Sequence, residues 1–212
     1  MTQRGRFIVF EGVEGAGKTT QLQLTTAYLQ EHCPQSVRVT REPGGTALGQ
    51  HLRHLLLHSE TMGDRTELLL FAADRAEHVA TCLRPALAQN QIVLCDRYTD
   101  STLAYQHYGR GLDRPLIEQL NSIATEELTS DLTFWLDLDV TIGLRRGQKQ
   151  SAGDRIEQAN LDFHHRVQAG FAALAAQYPH RIVRLDATQS PEQVQAEIQT
   201  HLRQRLGLGG ID

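Results

Sequence analysis

The chain has 212 residues, 40% of them hydrophobic, with 21 lysines and arginines against 25 aspartates and glutamates and a formal charge of −4. That length and apolar content fit one domain with one substantial core. A mildly acidic chain without Lys/Arg blocks is a poor general nucleic-acid binder, and no stretch approaches the roughly 20 apolar residues of a membrane span.

In chain order, Phe7–Phe10 reads as an apolar strand, Thr19–Glu31 as a helix, Val37–Thr40 as a second strand and Leu48–His58 as a second helix. A long helical pattern, Arg65–Gln89, leads to the strand Ile92–Cys95. Arg114–Glu127 is helical, Leu132–Leu138 is a strand, Glu157–Gln177 a helix, Ile182–Leu185 the last strand and Pro191–Arg205 the last helix. Near-continuous apolar strands separated by helices predict a three-layer α/β fold, a mostly parallel sheet covered on both faces. One domain is predicted over residues 1–206, with a polar lid segment at about 145–156 and a flexible tail at 207–212. Met1–Phe10 lacks the apolar run of a signal peptide. Cys33, Cys82 and Cys95 are an odd number, far apart, and suggest neither disulfides nor zinc. The reading is a reduced cytoplasmic enzyme.

The first strand is followed by Gly12-Val13-Glu14-Gly15-Ala16-Gly17-Lys18-Thr19, the phosphate-binding pattern G-x-x-x-x-G-K-[ST]. Its glycines let several backbone N–H groups converge on one anion at the positive end of the next helix. Lys18 is predicted to reach the β- and γ-phosphates of ATP and Thr19 to ligate Mg²⁺, with Thr20 completing the ATP site. Lys18 and Lys149 are the only lysines in the chain. Ile92–Cys95 ends in Asp96, a carboxylate placed to hold Mg²⁺ or its waters, although a turn-capping aspartate would look the same. The Asn-Lys-x-Asp motif of GTPases and the Leu-Ser-Gly-Gly-Gln segment of ABC-type ATPases are missing. A small kinase remains.

A kinase needs an acceptor pocket, and three segments can build one. Arg41-Glu42-Pro43-Gly44-Gly45 puts an arginine at the carboxyl edge of the second strand, where open α/β sheets bind ligands. On the third helix Leu69, Ala72, Ala73, Ala76 and Ala80 cluster on one side, read as core. Phe71 falls opposite, among Glu67, Asp74, Arg75 and His78, as a base-stacking platform would; cover by another helix is the plain alternative. In Asp96–Gln106, residues Arg97, Ser101 and Tyr105 recur at four-residue steps, suiting a phosphate clamp, a base contact and a sugar wall. His51, His54 and His58 share a helix side with no carboxylate or cysteine, and read as a solvated face.

These ordered motifs, with Phe10-Glu11-Gly12, Phe71–His78, Asp96-Arg97-Tyr98, Tyr105-Gln106 and Asp154-Arg155-Ile156-Glu157, resemble the bacterial thymidylate kinase family over nearly the whole chain. The resemblance implies a P-loop NTPase fold with a five-stranded parallel sheet, transfer from ATP to dTMP with Mg²⁺, and a homodimer. It implies that Phe71 stacks on thymine, Arg75 bonds its carbonyl edge, and Ser101 and Gln106 lie near the base. Arg41 and Arg97 would hold the dTMP phosphate, Tyr105 would disfavour a 2′-hydroxyl, and Glu11 would lie near the sugar or metal. Some members carry an arginine inside the phosphate loop; here Val13, Glu14, Gly15 and Ala16 fill those positions. The transfer cations must then come from the lid, where Arg145, Arg146, Lys149 and Arg155 are available, and Lys149 and Arg155 are the expected pair. Two other readings stay open: a deoxynucleoside kinase with Glu11 as base, and a P-loop switch that regulates a partner.

Overall fold

The computed structural model describes residues 4–148 and 154–210. Three short, almost wholly apolar runs set its frame. They form the inner strands β1 (Arg6–Glu11), β3 (Ile92–Asp96) and β4 (Leu132–Asp137), buried along nearly their whole length. β2 (Val37–Arg41) and β5 (Ile182–Asp186) are the partly exposed edges of an all-parallel sheet ordered β2-β3-β1-β4-β5. The order reverses at β1, so a crevice forms above the carboxyl ends of β1 and β3. In register, Phe10 and Arg41 both lie level with Asp96.

Strand alternation sends side chains to both faces. Ile8 and Phe10 pack with Leu22 and Leu29 of α1 (Lys18–His32) and Ile198 and Leu202 of α9 (Pro191–Leu206). On the other face, Phe7 and Val9 meet Val79, Leu83 and Leu87. Trp135 joins Phe163, Val167 and Phe171 of α8 (Leu161–Gln177), with Ile117 of α6 (Arg114–Thr125) in the same cluster. This is the expected three-layer α/β arrangement.

Several boundaries differ from the sequence reading. The long third helix is α3 (Asp64–His78), continued through a π-helical turn, Val79–Leu83, into α4 (Arg84–Ala88). α5 (Thr99–Thr102) with its π-helical continuation Leu103–Gly109, and α7 (Val140–Gln148), lie outside the predicted helices. α8 starts four residues after the expected Glu157, because the Asn160 side chain accepts Phe163 N–H and caps it. The Asp154 carboxylate meanwhile accepts from the N–H groups of Ile156 and Glu157, closing a separate turn.

The tail is a correction. Gly207 ends α9 in the left-handed conformation, Leu208 is buried, and Tyr28 donates its hydroxyl to Gly209 O at 2.8 Å. The expected flexible segment is therefore docked as far as Gly209, while Ile211 and Asp212 lie outside the described residues.

The third helix is a second correction. Leu69, Ala73, Ala76 and Ala80, read as core, are exposed, and Glu67, Asp74, Arg75 and His78 are buried. α3 packs between α2 (Ala47–His58) and α6 and turns its charged stripe inward. Apolar periodicity misread the face because ion pairing satisfies this stripe internally. His51, His54 and His58 are exposed, as read, but Leu48 and Leu55 are exposed too.

Candidate active site

The phosphate loop joins β1 to α1 and curls through Gly12, Gly15 and Gly17, all at positive φ. Gly15 is irreplaceable on two grounds: its φ is 69°, and a Cβ there would lie 2.2 Å from Gly143 O of α7. α7 therefore rests directly on the loop and brings Arg146 beside Gly15. Lys18 is buried, and its Nζ donates to Gly12 O at 3.1 Å and Val13 O at 3.0 Å. Burial and the nearby Arg97 pull its ammonium below the ordinary lysine range, although Asp96, Glu14 and Glu11 oppose this.

A cavity of about 690 Å³ opens above these strands. Glu14 through Thr20 line its floor; Arg41, Asp96 and Arg97 line the β2/β3 side, with Phe71, Arg75, Ser101, Tyr105 and Gln106 above them. Ala187, Gln189 and Pro191 line it beyond β5. One continuous cavity thus gathers most of the predicted residues, from distant parts of the sequence. Gly12 and Val13 lie beneath it, with Val13 buried in the core.

Glu11, at the end of β1, is fully buried behind the cavity. It accepts Tyr98 N–H and Ser101 N–H at 2.9 and 3.1 Å and the Ser101 hydroxyl at 2.6 Å. Burial and the Asp100 charge push its carboxyl up to about 7, against Arg97 and these hydrogen bonds. Ser101 also accepts from Arg97 Nη1 at 3.2 Å, so it braces Glu11 and Arg97. Arg97 has a φ of 69° and lies over the Tyr105 ring at 5.1 Å. Burial alone would lower Arg97, but Tyr105, Asp96, Glu11 and Glu14 outweigh it and keep the guanidinium charged.

Arg75 is 2% exposed and committed on four of its five N–H donors. Nε binds Glu42 Oε2 at 2.8 Å, Nη1 binds Thr102 and Asn121 at 2.8 and 2.6 Å, and Nη2 binds Tyr98 O at 3.0 Å. Glu42 also accepts from His78 Nδ1 at 2.9 Å, and His78 Nε2 meets Thr40 at 2.7 Å. Burial lowers His78, but Cys82 and Glu42 outweigh it and hold the imidazole at about 9. Glu42 was visible only as part of a Pro-Gly turn motif, and nothing in the sequence marked it as the counter-ion of Arg75.

Two further findings bear on the expected cations. Arg53 of α2 lines the cavity, with Nη1 on Pro43 O at 3.0 Å. The sequence reading passed over it, although it is the sole arginine of its helix. Arg155 does not line the cavity: its guanidinium binds Glu67 at 2.6 Å and Leu56 O at 3.0 Å. The structure does not bring it to the phosphate loop, because the buried Glu67 charge holds it at α3. Lys149 lies outside the described residues. Among the described residues of the segment expected as a lid, Arg146 is the cation that lines the cavity.

Asp96 Oδ1 is buried without a hydrogen-bond partner among the described residues, and Thr19 is an exposed hydroxyl in the same cavity. A carboxylate oxygen without a partner and a hydroxyl beside the phosphate loop are oxygen ligands of the kind a hard divalent cation takes, and they fit such an ion as part of its shell.

The comparisons agree with this geometry. The thymidylate kinase family model matches residues 10–198. A thymidylate kinase of Nostoc punctiforme is 58% identical over 206 residues, covering 95% of this chain and 97% of that protein. One from Thermosynechococcus vestitus is 52% identical over 95% of this chain and 88% of its own length. The crystal structure of thymidylate kinase from Ehrlichia chaffeensis superposes with a TM-score of 0.80 at 36% identity, covering 94% of this chain and 99% of that one. The chain belongs to the thymidylate kinase family.

Proposed function

We propose that this chain transfers the γ-phosphoryl group of ATP directly to the phosphate of dTMP, giving ADP and dTDP. The observation that carries the reading is one cavity with two anion-binding ends, the phosphate loop with Lys18 and the trio Arg41, Arg53 and Arg97. Two phosphorylated ligands facing each other need such a pair of cradles.

The donor triphosphate lies on the N–H groups of Gly15 to Thr19 and on Lys18, at the positive end of α1. The acceptor phosphate takes bidentate bonds from Arg97 with Arg41 and Arg53. Phe71 stacks on the base, Arg75 and Gln106 meet its edge, and Tyr105 walls the sugar. Glu11 acts behind them by fixing Ser101 and the Tyr98 backbone. A phosphate oxygen is already anionic, so no strong general base is needed; positioning and charge neutralisation supply the rate. Arg146 and the lid Lys149 carry the neutralising charge on the lid side, and Arg155 anchors the lid. Thr19 and Asp96 would hold Mg²⁺, which neutralises phosphate charge when bound.

No helix among the described residues is long and apolar enough to cross a membrane. Three free cysteines support action in the reduced cytoplasm. Exposed Leu48 and Leu55 of α2, Leu69 of α3 and Ile123 of α6 support a homodimer formed through these neighbouring helices.

The test is product identity. Incubation with Mg-ATP and dTMP should give ADP and dTDP in equal amounts by ion-exchange chromatography, and ADP without dTDP would reduce the activity to hydrolysis.

A further inference from the structure

Glu67 of α3 is 1% exposed and is not among the residues lining the cavity. Its oxygens are nevertheless heavily used. Oε1 accepts from Gln106 Nε2 at 2.8 Å and Arg110 Nε at 3.3 Å, and Oε2 from Arg155 Nη2 at 2.6 Å and Arg110 Nη2 at 3.2 Å. Burial alone would push this carboxyl up, but Gln106, Arg110 and Arg155 outweigh it and hold it below the usual range. Glu67 is therefore ionised at neutral pH.

An ionised carboxylate accepts hydrogen bonds and donates none. Gln106 must turn its amide nitrogen toward Glu67, which commits one N–H there and turns Oε1, its one side-chain acceptor, away from Glu67. Gln106 is 2% exposed and lines the cavity, and its Oε1 accepts no bond among the described residues. Arg75 lines the same cavity with one Nη2–H uncommitted among the described residues. The pocket therefore offers one fixed acceptor and one fixed donor. A 4-oxopyrimidine answers with an N3–H donor and an O4 acceptor. A 4-aminopyrimidine sets its N3 acceptor against Gln106 and its amino donor against Arg75, and both pairings fail.

We propose that Glu67 is a positioning residue that determines base specificity: by locking the Gln106 amide, it selects pyrimidine monophosphates with a 4-oxo group and N3–H over those with a 4-amino group. This deepens the acceptor reading above and rests on it. The lock is the carboxylate itself, because a glutamine at the same place could donate or accept and would free Gln106 to flip.

The test compares kcat/KM for dTMP and dCMP at saturating Mg-ATP in wild type, Glu67→Gln and the swapped double variant Glu67→Gln/Gln106→Glu, with Tm measured for each. Glu67→Gln should lower the dTMP:dCMP ratio by on the order of tenfold, the scale of one mispaired buried hydrogen bond, and leave KM for ATP unmoved. The swap should restore the ratio, since the amide now at position 67 would donate to the carboxylate at position 106, whose other oxygen would again face the base as an acceptor. A folded Glu67→Gln that loses both activities equally, at an unchanged ratio, would overturn the proposal. Should that variant fail to fold, the swap decides: a wild-type ratio supports the lock and a collapsed ratio refutes it. Wild-type protein without dTMP-dependent ADP release would remove the acceptor reading itself, a result distinct from an active wild type whose ratio the variants leave untouched.

Discussion

Replacing Glu42 with glutamine perturbs stability and acceptor binding together. Glu42 is 4% exposed and binds Arg75 at 2.8 Å and His78 at 2.9 Å. Among the described residues it is the only carboxylate bonded to either cation. The amide keeps the shape and removes the charge, leaving Arg75 buried without a counter-ion. Breaking one side of a buried pair costs about 3–5 kcal/mol. At about 2–4 °C per kcal/mol for a chain of this size, Tm should fall by roughly 6–20 °C. The pH dependence changes as well. His78 is held at about 9, above its ordinary value of 6.5. A raised imidazole value stabilises the fold fully below pH 6.5, and the contribution disappears as pH rises through about 9. Its full size is about 3 kcal/mol. Thermal unfolding at pH 6, 8 and 10 should show a declining limb in wild type that is reduced in Glu42→Gln, with the part due to Cys82 remaining. The KM for dTMP should rise, because Arg75 loses the bond that aligns it. A variant within about 1 kcal/mol of wild type at pH 6, with the same pH slope, would refute this account of the cluster.

Lys18→Ala should abolish phosphoryl transfer while circular dichroism shows a folded chain, since among the described residues the ammonium bonds only two carbonyls of its own loop; near-normal ADP release would remove the phosphate-loop assignment. Arg97→Ala should raise the KM for dTMP by about tenfold or more, the scale of charge-assisted hydrogen bonds, and leave the KM for ATP nearly unchanged. Equal losses for both substrates would count against its acceptor role. Asp96→Asn should raise the Mg²⁺ concentration needed for half-maximal rate, because it replaces the unpartnered Oδ1 group with an amide. An unchanged Mg²⁺ titration would place the metal elsewhere.

The sheet was legible because its strands are short, apolar and separated by clear helical patterns. All five fall within two residues of their observed bounds. The phosphate loop was legible because its chemistry is local. The acceptor pocket was half legible. Phe71 stood out as a large aromatic among charges, and Arg97, Ser101 and Tyr105 as a four-residue recurrence beginning beside Asp96. The face of α3 was not, since the rule that apolar stripes face inward fails where Glu42 compensates Arg75 and His78, and Arg110 and Arg155 compensate Glu67. Those pairs link positions 33 and 36 residues apart or more, and no local pattern encodes them. Arg155 misled for the same reason: its motif resembled a lid cation, and its counter-ion Glu67 lies 88 residues away. α7 was hidden by a short arginine- and glycine-rich sequence whose register is set by close approach of Gly143 to the phosphate loop.

The most direct test of phosphoryl transfer to dTMP is ADP release from Mg-ATP across a panel of nucleosides and nucleoside monophosphates. dTMP should stimulate release strongly, and thymidine far less, because it lacks the phosphate proposed to lie on the cavity-lining Arg41, Arg53 and Arg97. Stimulation by thymidine but not dTMP, or slow release independent of any acceptor, would contradict it.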